Sequence, residues 1–260
     1  MTDTHHYQYA FARSDCSTEG IGAGVDPRFP VELFRYGLIA AVISGVGMDQ
    51  FDPVRLQGGT AEDLAWLKDV ASRHDEIIRQ AARSSPVAPL RMGTMFNSLD
   101  SLQASMGRLQ ARVLDFFNQL GDRQEWGLKL YRTAAHARPQ REPLLAASFT
   151  PGAQYLSRKK AALESHRQSQ TDLQQTIEYL EQRLSGQAGA YCRVRTLPRN
   201  LTGRNEEMVF NAAILLPPSA LDGWLETAAA VRGDLLGKGL LLEWSGPKPP
   251  YHFCFGLDLS

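Results

Sequence analysis

The chain has 260 residues, of which 43% are hydrophobic and 22% are charged, a composition that is typical of folded proteins and excludes wholesale disorder. Its 28 Lys and Arg residues balance 28 Asp and Glu residues, so the chain has no overall positive charge of the kind typical of nucleic-acid-binding proteins. No apolar run approaches the roughly 20 residues that span a bilayer, and the first residues lack a hydrophobic signal core. We therefore expect a cytoplasmic protein, large enough for two small domains, with neither nucleic acid nor a membrane as a partner.

Three cysteines are spread along the chain, at Cys16, Cys192 and Cys254. A disulfide framework needs paired cysteines and an oxidising compartment, and a structural zinc site needs closely spaced ligands such as CxxC. The sequence has neither pattern. We therefore predict neither disulfides nor a bound metal.

Periodic patterns in the first half of the chain predict a sheet with two helices. Tyr7, Tyr9 and Phe11 alternate with smaller or polar residues, which is typical of a strand with one buried face. After a Gly- and Pro-containing loop, residues 31–46 predict two strands that turn at Tyr36-Gly37. The next predicted elements are a helix at 67–81, a strand at 86–96, a helix at 102–120 that Asn97 or Ser98 caps, and a strand at 125–132. This order predicts an α+β fold in which an antiparallel sheet carries its helices on one face, as in ferredoxin-like layers.

The second half begins with a predicted linker, residues 136–150, and one long helix, residues 154–185. The helix is highly polar, with leucine or isoleucine at heptad-like spacing from Leu163 to Leu184. At the usual rise per residue it would be roughly 45–50 Å long. We expect its ends to pack and its middle to stand in solvent or meet a partner.

A second α+β region follows the long helix. Patterns predict strands at 191–196 and 207–216, a helix that Ser219 caps and that buries its Leu221 to Leu235 face, and a strand at 240–244. The predicted domains are therefore residues 1–135 and 151–260, joined by the linker at 136–150.

The chain ends in an apolar stretch, SGPKPPYHFCFGLDLS. Three prolines restrict the SGPKPP segment, and Tyr251, Phe253 and Phe255 then alternate with smaller or polar residues. This pattern predicts a rigid bend that delivers a terminal strand, residues 251–257, onto apolar surface of the same chain.

Candidate catalytic residues are few. His74-Asp75-Glu76 has suitable residue types, but adjacent helical residues do not share a face, and His74 lies on the apolar stripe of its helix. A neutral, hydrogen-bonded core histidine is favoured over a ligand or a general base. For His5 and His6, near a terminus expected to be mobile, weak adventitious metal binding is favoured over a built site.

Other motifs have structural explanations. Residues 20–27, GIGAGVDP, depart from the GxGxxG fingerprint and suit a turn. The basic run Arg158-Lys159-Lys160 suits a solvated helix face, with an acidic partner as the alternative, and Glu178 and Glu181 suit an exposed helix. Phosphate-loop and nucleophile-elbow motifs do not occur. We therefore predict that the protein is not an enzyme, with no catalytic, cofactor-binding or metal-binding residues and no small-molecule substrate, and we assign no binding residues.

Six stretches, in this order and spacing, resemble the gas vesicle protein GvpF/GvpL family. They cover almost the whole chain and read LIAAVISGV, HDEII, PLRMGTMF, EWGLKLY, PGAQYLSRKKA and SGPKPPYHF. One position departs from the family pattern, because Lys248 stands where the closing GPxPPY motif usually has tryptophan. A lysine can lay its methylene stem on apolar surface while its ammonium stays wet, so a role of that tryptophan is not carried over to this chain.

The resemblance implies a non-enzymatic accessory protein of gas vesicle assembly. It also implies an N-terminal modified ferredoxin-like domain, a long helix and a C-terminal α+β domain with an antiparallel sheet. The implied partners are the main gas vesicle shell protein and other gas vesicle accessory proteins, and the resemblance brings no catalytic residue or cofactor. The alternative, allowed by fold analogy alone, is a ferredoxin-like small-molecule-binding regulatory module.

Overall fold

An antiparallel sheet of five strands forms from the first hundred residues. The computed structural model describes residues 4–51, 55, 58–133 and 151–254, and the side chains at all of these except 151–155 and 158. The sheet has the order β2-β3-β1-β4, and β5 also pairs with β1. Its strands are β1 (Thr4–Arg13), β2 (Val31–Tyr36), β3 (Ile39–Gly47), β4 (Val87–Pro89) and β5 (Met95–Phe96).

The register of this sheet follows the predicted turns. β2 and β3 form a hairpin that closes at the Tyr36–Ile39 pair, and Gly37 has φ 57°, a conformation that glycine adopts without strain. β1 runs antiparallel to β3, with a bulge between Gln8 and Ala10. The predicted strand at 86–96 is wrong as a single strand, because a turn at Gly93, with φ 88°, divides it into β4 and β5.

Two helices cover the sheet, α1 (Ala61–Ala81) and α2 (Leu99–Leu120). Both begin at a side-chain cap, Thr60 for α1 and the predicted Ser98 for α2. The prediction that the helices share one face is wrong. Alternate residues of a strand point to opposite faces, and Val42 of β3 packs in the core that contains α1, whereas Ala41 packs in the core that contains α2.

The strand order is that of an antiparallel α+β layer whose first crossover lacks a helix. β1 connects to β2 through the 14–30 loop, and α1 provides the connection from β3 to β4. The predicted α+β class is confirmed, with a ferredoxin-like strand order and an additional helix, α2, on the second face.

The second sheet has the order β7-β8-β6-β9. Its strands are accompanied by one long helix, one short helix and one helix of sixteen residues, the last preceded by a 3₁₀ turn at Pro218–Ala220. The predicted cap Ser219 lies in that turn, and Ala220 takes the N-cap position without a side-chain hydrogen bond. The elements are β6 (Gln124–Arg132), α3 (Pro151–Ser185), β7 (Ala190–Arg193), α4 (Arg199–Thr202), β8 (Glu207–Leu216), α5 (Leu221–Leu236) and β9 (Leu240–Lys248).

Trp224 of α5 lies at the centre of the second core. Its side chain is fully buried, its Nε1 donates to the Leu184 carbonyl at 3.1 Å, and its ring lies 6.1 Å from that of Trp126 and 6.3 Å from that of Trp244. An indole N–H needs such a partner when it is buried. This core therefore joins α3, α5 and the sheet.

The long helix α3 has 35 residues, about 50 Å at the usual rise. Its C-terminal part packs through the predicted Ile177, Leu180 and Leu184. Every described side chain from 156 to 172 is exposed, and Leu163 is 52% exposed. The prediction of a solvated middle is confirmed, and the C-terminal end packs as predicted. The prediction that both ends pack is wrong for the N-terminal end, whose described side chains are exposed from Leu156 onward.

The chain forms two compact units. Unit 1 is Met1–Glu125 with Pro247–Ser260, and unit 2 is Trp126–Gly246. The predicted domain boundaries differ in two places. β6, assigned to the first domain, pairs in the sheet of unit 2, and the C-terminal segment, assigned to the second domain, belongs to unit 1. The predicted linker lies outside the described residues.

The chain end corrects the prediction of a terminal strand. β9 continues through Ser245–Lys248, so the first four residues of SGPKPP are strand rather than bend, and the half-buried Lys248 is the last residue of β9. Residues 251–253 form a turn in which the Tyr251 amide donates to the Pro249 carbonyl at 2.8 Å. Two successive prolines offer no N–H to a sheet, which explains the turn. Residues 255–257 lie outside the described residues.

Candidate functional site

His74 is a buried structural residue. It is 5% exposed, its Nδ1 lies 3.0 Å from the Tyr7 hydroxyl, and its Nε2 lies 3.2 Å from the Leu90 carbonyl. The Tyr7 oxygen already accepts the Gly93 amide at 2.9 Å, so its proton goes to Nδ1 and the imidazole donates through Nε2. Burial lowers the pKa of His74, which keeps this tautomer neutral.

Asp75 and Glu76 do not converge with His74. The Asp75 carboxylate accepts from the Tyr251 hydroxyl at 2.6 Å and from Arg79 at 2.8 Å. Glu76 pairs with the same arginine at 2.7 Å. The three neighbouring side chains therefore serve three different contacts, and they form no acid–base constellation.

The glycine-rich loop is a turn that presents a buried carboxylate. Gly20 and Gly22 have φ of 80° and 77°, and the fully buried Asp26 accepts from Arg28 Nη2 at 2.6 Å and from the Gly47 amide at 3.1 Å. Burial opposes the charge, but the hydrogen bonds from Arg28 and Gly47 outweigh it and hold the pKa of Asp26 below its ordinary value. Asp26 therefore fastens the loop to the end of β3.

Asp26→Asn is expected to lower the free energy of unfolding by about 1.5–3 kcal/mol, the usual size for a hydrogen bond to a charged group. The folded-state pKa lies below the ordinary 3.8, so the stabilisation is complete above that pH and disappears as pH falls through the folded value. Urea unfolding between neutral and acidic pH measures it. Asp49→Asn, at the exposed end of the same arginine, is the control and should change stability much less; equal losses would contradict the assignment.

The two N-terminal histidines are part of β1. His5 pairs with Val46 and His6 with Gly45, so the prediction of a mobile terminus is wrong for them, because the strand holds them. Burial, followed by the neighbouring His5, lowers the pKa of His6. Among the described residues, no group of three His, Cys, Asp or Glu side chains is arranged to hold a metal ion.

The charged residues singled out on α3 have separate surroundings. Lys159 and Lys160 are exposed, and Lys160 lies 4.0 Å from Glu164. Glu181 pairs with Arg193 at 2.6 Å and accepts from Tyr191, whereas Glu178 accepts from a neighbouring glutamine on the helix. The two glutamates do not act as a pair.

Burial lowers the reactivity of the Cys16 and Cys254 thiols. Burial raises the pKa of Cys254 to about 11 and raises that of Cys16 as well. Because the thiolate is the nucleophile, these two thiols are poorly suited to attack.

Sequence patterns missed a polar anchor at the chain end. Glu125 is buried, with its side chain 1% exposed, and both of its carboxylate oxygens accept from His252, from the amide at 2.8 Å and from Nδ1 at 2.7 Å. Tyr251 packs against the α1-side core, and Cys254 donates to the Pro89 carbonyl at 3.3 Å. A carboxylate and a histidine 127 positions apart give no local signal.

A second missed cluster lies in unit 2. Arg204 lies 4.3 Å above the ring of the buried Tyr131, and its Nη1 is 2.8 Å from both carboxylate oxygens of Glu243. The cation thus joins the loop before β8 to β6 and β9. The same unit has a groove of about 680 Å³ beside α3, lined among others by Arg132, Asp172 and Lys238.

The fold and these networks define a two-unit α+β protein in which polar contacts hold loops and residues 251–254 to the rest of their units. None of the described helices combines the length and apolarity needed to cross a membrane. The family model described as "Gas vesicle synthesis protein GvpL/GvpF" matches residues 5–255. The chain belongs to this family.

Individual relatives agree with the family match. "Gas vesicle protein L" of Streptomyces sp. (strain CB03234) is 28% identical over 253 residues, which cover 97% of this chain and 93% of the relative. The crystal structure of GvpF from Anabaena sp. PCC7120 superposes with a TM-score of 0.69 at 16% identity, covering 99% of this chain and 97% of the other. GvpF from Microcystis aeruginosa gives a TM-score of 0.64 at 14% identity, covering 96% and 98%. These structural likenesses establish the shared fold.

Proposed function

We propose that the protein is a non-enzymatic accessory protein of gas vesicle assembly, which acts at the gas vesicle by binding the main shell protein and other vesicle proteins. The observation that carries this proposal is the family match over residues 5–255. The relative from Streptomyces, named a gas vesicle protein and aligned over 97% of this chain, supports it.

A role without catalysis agrees with the chemistry of the described residues. Both ring nitrogens of His74 are occupied by structural hydrogen bonds, and burial raises the pKa of Cys254. The ionised groups with the strongest contacts, such as Asp26 and Glu181, are paired with arginine. Groups with fixed partners are available for stability rather than for proton transfer.

Deletion of the gene is expected to abolish or malform gas vesicles without removing a metabolic activity. A scaffold that acts through protein contacts is needed for assembly and not for turnover. Electron microscopy and buoyancy of a clean deletion strain, compared with the same strain carrying the gene on a plasmid, provide the measurement. Normal vesicles in the deletion strain, with no paralogue in the genome, would rule the proposal out.

The groove beside α3 supports a second candidate, a small-molecule-binding regulatory module. Its volume of about 680 Å³ lies within the roughly 300–1,000 Å³ of ligand sites, and polar side chains converge on it. A ligand that binds the native state must raise the melting temperature. Thermal denaturation with a panel of metabolites distinguishes the candidates, because only the regulatory module predicts a rise that Lys238→Ala removes.

A further inference from the structure

A loop of unit 2 is exposed along its whole length. All seven residues from 195 to 201, RTLPRNL, are exposed, and they include Leu197 at 39% and Leu201 at 67%. Apolar side chains that stand in water gain free energy when a partner covers them. We call this segment the 195–201 loop.

The loop is nevertheless held in one conformation. On its N-terminal side, Asn211 donates to the Arg195 carbonyl at 3.0 Å, and the Leu197 amide donates to the Met208 sulfur at 3.4 Å. On its C-terminal side, Gly203 donates to the Arg199 carbonyl at 3.0 Å. A loop that is already ordered loses little conformational entropy when it binds.

The C-terminal side of the loop is held by more than the hydrogen bond of a turn. Arg204 lies three residues after the loop and contacts the Glu243 carboxylate at 2.8 Å and the ring of Tyr131 at 4.3 Å. A paired guanidinium that also covers an aromatic face is well positioned. The exposed loop is therefore presented by a rigid base.

The loop carries two positive charges, Arg195 and Arg199, and no acidic residue of its own. Of the arginines around it, Arg193 pairs with Glu181 at 2.6 Å and Arg204 with Glu243 at 2.8 Å. Arg195 and Arg199 form no ion pair with a carboxylate among the described residues. Glu206 interacts electrostatically with Arg199, but its ion pair, at 3.4 Å, is with Arg204. Two cations and two leucines thus face solvent together.

We propose that the 195–201 loop is a docking site for an acidic segment of a partner protein, in which carboxylates meet Arg195 and Arg199 and an apolar side chain covers Leu197 and Leu201. The inference rests on the proposed assembly function and names a contact surface for it. Seven residues are far fewer than the roughly 20–30 per side of a standard interface. The partner element is therefore a short segment.

A protein segment fits the loop better than nucleic acid or a lipid surface. Proteins that bind a phosphate backbone make several cationic contacts, about 6–10 in strong cases, and bind single strands through aromatic stacking. The loop has no aromatic residue, and its two arginines form no ion pair with a carboxylate in the part of the chain that the structure describes. Its four-residue helix, α4, is also too short to present an amphipathic face to a membrane.

The test uses overlapping synthetic peptides that span every protein encoded by the gas vesicle genes of the same organism. Each labelled peptide is titrated with the full-length protein by fluorescence polarisation, at low and physiological salt. The test variant is Arg195→Glu with Arg199→Glu. The matched control, Arg167→Glu with Arg183→Glu, makes the same change of charge at exposed positions of α3.

The expected result is that acidic peptides containing an apolar residue bind, more weakly at higher salt. The loop variant should weaken this binding about tenfold or more, whereas the control should weaken it about twofold or less. The double substitution Leu197→Ser with Leu201→Ser should also weaken the binding. No peptide binding, best binding by neutral or basic peptides, or equal losses in loop variant and control would overturn the proposal. Binding of a DNA oligonucleotide or of anionic lipid vesicles in place of acidic peptides would also overturn it.

Failure of this inference is separable from failure of the assembly function. If the deletion strain forms normal vesicles, the assembly function fails whatever the peptides do. If the deletion strain lacks vesicles and the loop variant restores them fully, the docking site alone fails.

Discussion

His74→Asp is expected to lower the stability of unit 1 by about 3–5 kcal/mol, the range for a buried charge without its partner. The imidazole accepts from Tyr7 at 3.0 Å and donates to the Leu90 carbonyl at 3.2 Å. A carboxylate cannot donate to that carbonyl, and it places a negative charge in a site that is 5% exposed. The loss therefore combines an unsatisfied acceptor with the desolvation of an ion.

Hydrogen exchange of peptides from β1 and α1 measures this effect within unit 1, since local and global opening are reported element by element. His166→Asp, the same change at an exposed position of α3, is the control and should leave exchange unchanged. His74→Gln, which keeps a hydrogen-bond donor and an acceptor, should lose much less stability than His74→Asp. Equal effects of the Asp substitution at both positions would contradict the buried network.

Because His74 is buried, we also expect the free energy of unfolding to depend on pH. Because burial lowers the folded-state pKa of His74 below its ordinary value of 6.5, the unfolded chain takes up its proton first as pH falls. The stabilisation is complete above 6.5 and decreases below it. In His74→Gln this component should be absent, while chelators should leave both proteins unchanged. Tight stoichiometric metal that His74→Asp releases would show instead that His74 is a ligand.

Removal of residues 251–260 is the second change with a large expected effect, a destabilisation of unit 1 of about 3–5 kcal/mol. The truncation takes away His252, whose amide and Nδ1 occupy both oxygens of Glu125 at 2.8 and 2.7 Å. Glu125, 1% exposed, would then carry a buried charge without its partner. Tyr251, which packs on the α1-side core and donates to Asp75 at 2.6 Å, is lost as well.

A double-mutant cycle identifies the cause. If the unpaired carboxylate causes most of the destabilisation, Glu125→Gln should recover part of the stability of the truncated chain, because a neutral amide costs less free energy to bury. In the full-length chain the same substitution should destabilise, because it removes the charged partner of His252. The coupling energy between the two changes, measured by hydrogen exchange or urea unfolding, should be about 1 kcal/mol or more. Additive effects would show that the Glu125–His252 contact is not the cause of the destabilisation.

Local patterns were sufficient for most elements. The predicted stripe from Leu102 to Leu120 is the buried face of α2, and the strand predicted at 207–216 is β8. These succeed because amphipathic periodicity and caps are properties of a few neighbouring residues. The buried state of His74 was predicted for the same reason, from its place on the apolar stripe of α1.

The incorrect predictions concern contacts between residues that are distant along the chain. The strand predicted at 125–132 is β6, but the pattern could not indicate that this strand pairs with β8 and β9. The period-two pattern after Pro250 predicted a strand, whereas the segment is a turn whose polar groups engage Glu125 and Asp75. In the first case the strand is correct and only its pairing is set elsewhere. In the second case the described residues 251–254 are all half-buried, so the predicted alternation of buried and exposed side chains is absent.

The sequence by itself determined the α+β class, the buried faces of the helices and strands, and the family resemblance, because each depends on residue types at short spacing or on motifs in order. Only the tertiary structure decided that α1 and α2 lie on opposite faces and that residues 247–254 return to unit 1. It also decided that Arg195 and Arg199 form no ion pair with a carboxylate among the described residues. Those outcomes depend on contacts between residues far apart in the chain. Such contacts are chosen by the packing of complete faces and the pairing of buried charges, which no local pattern contains.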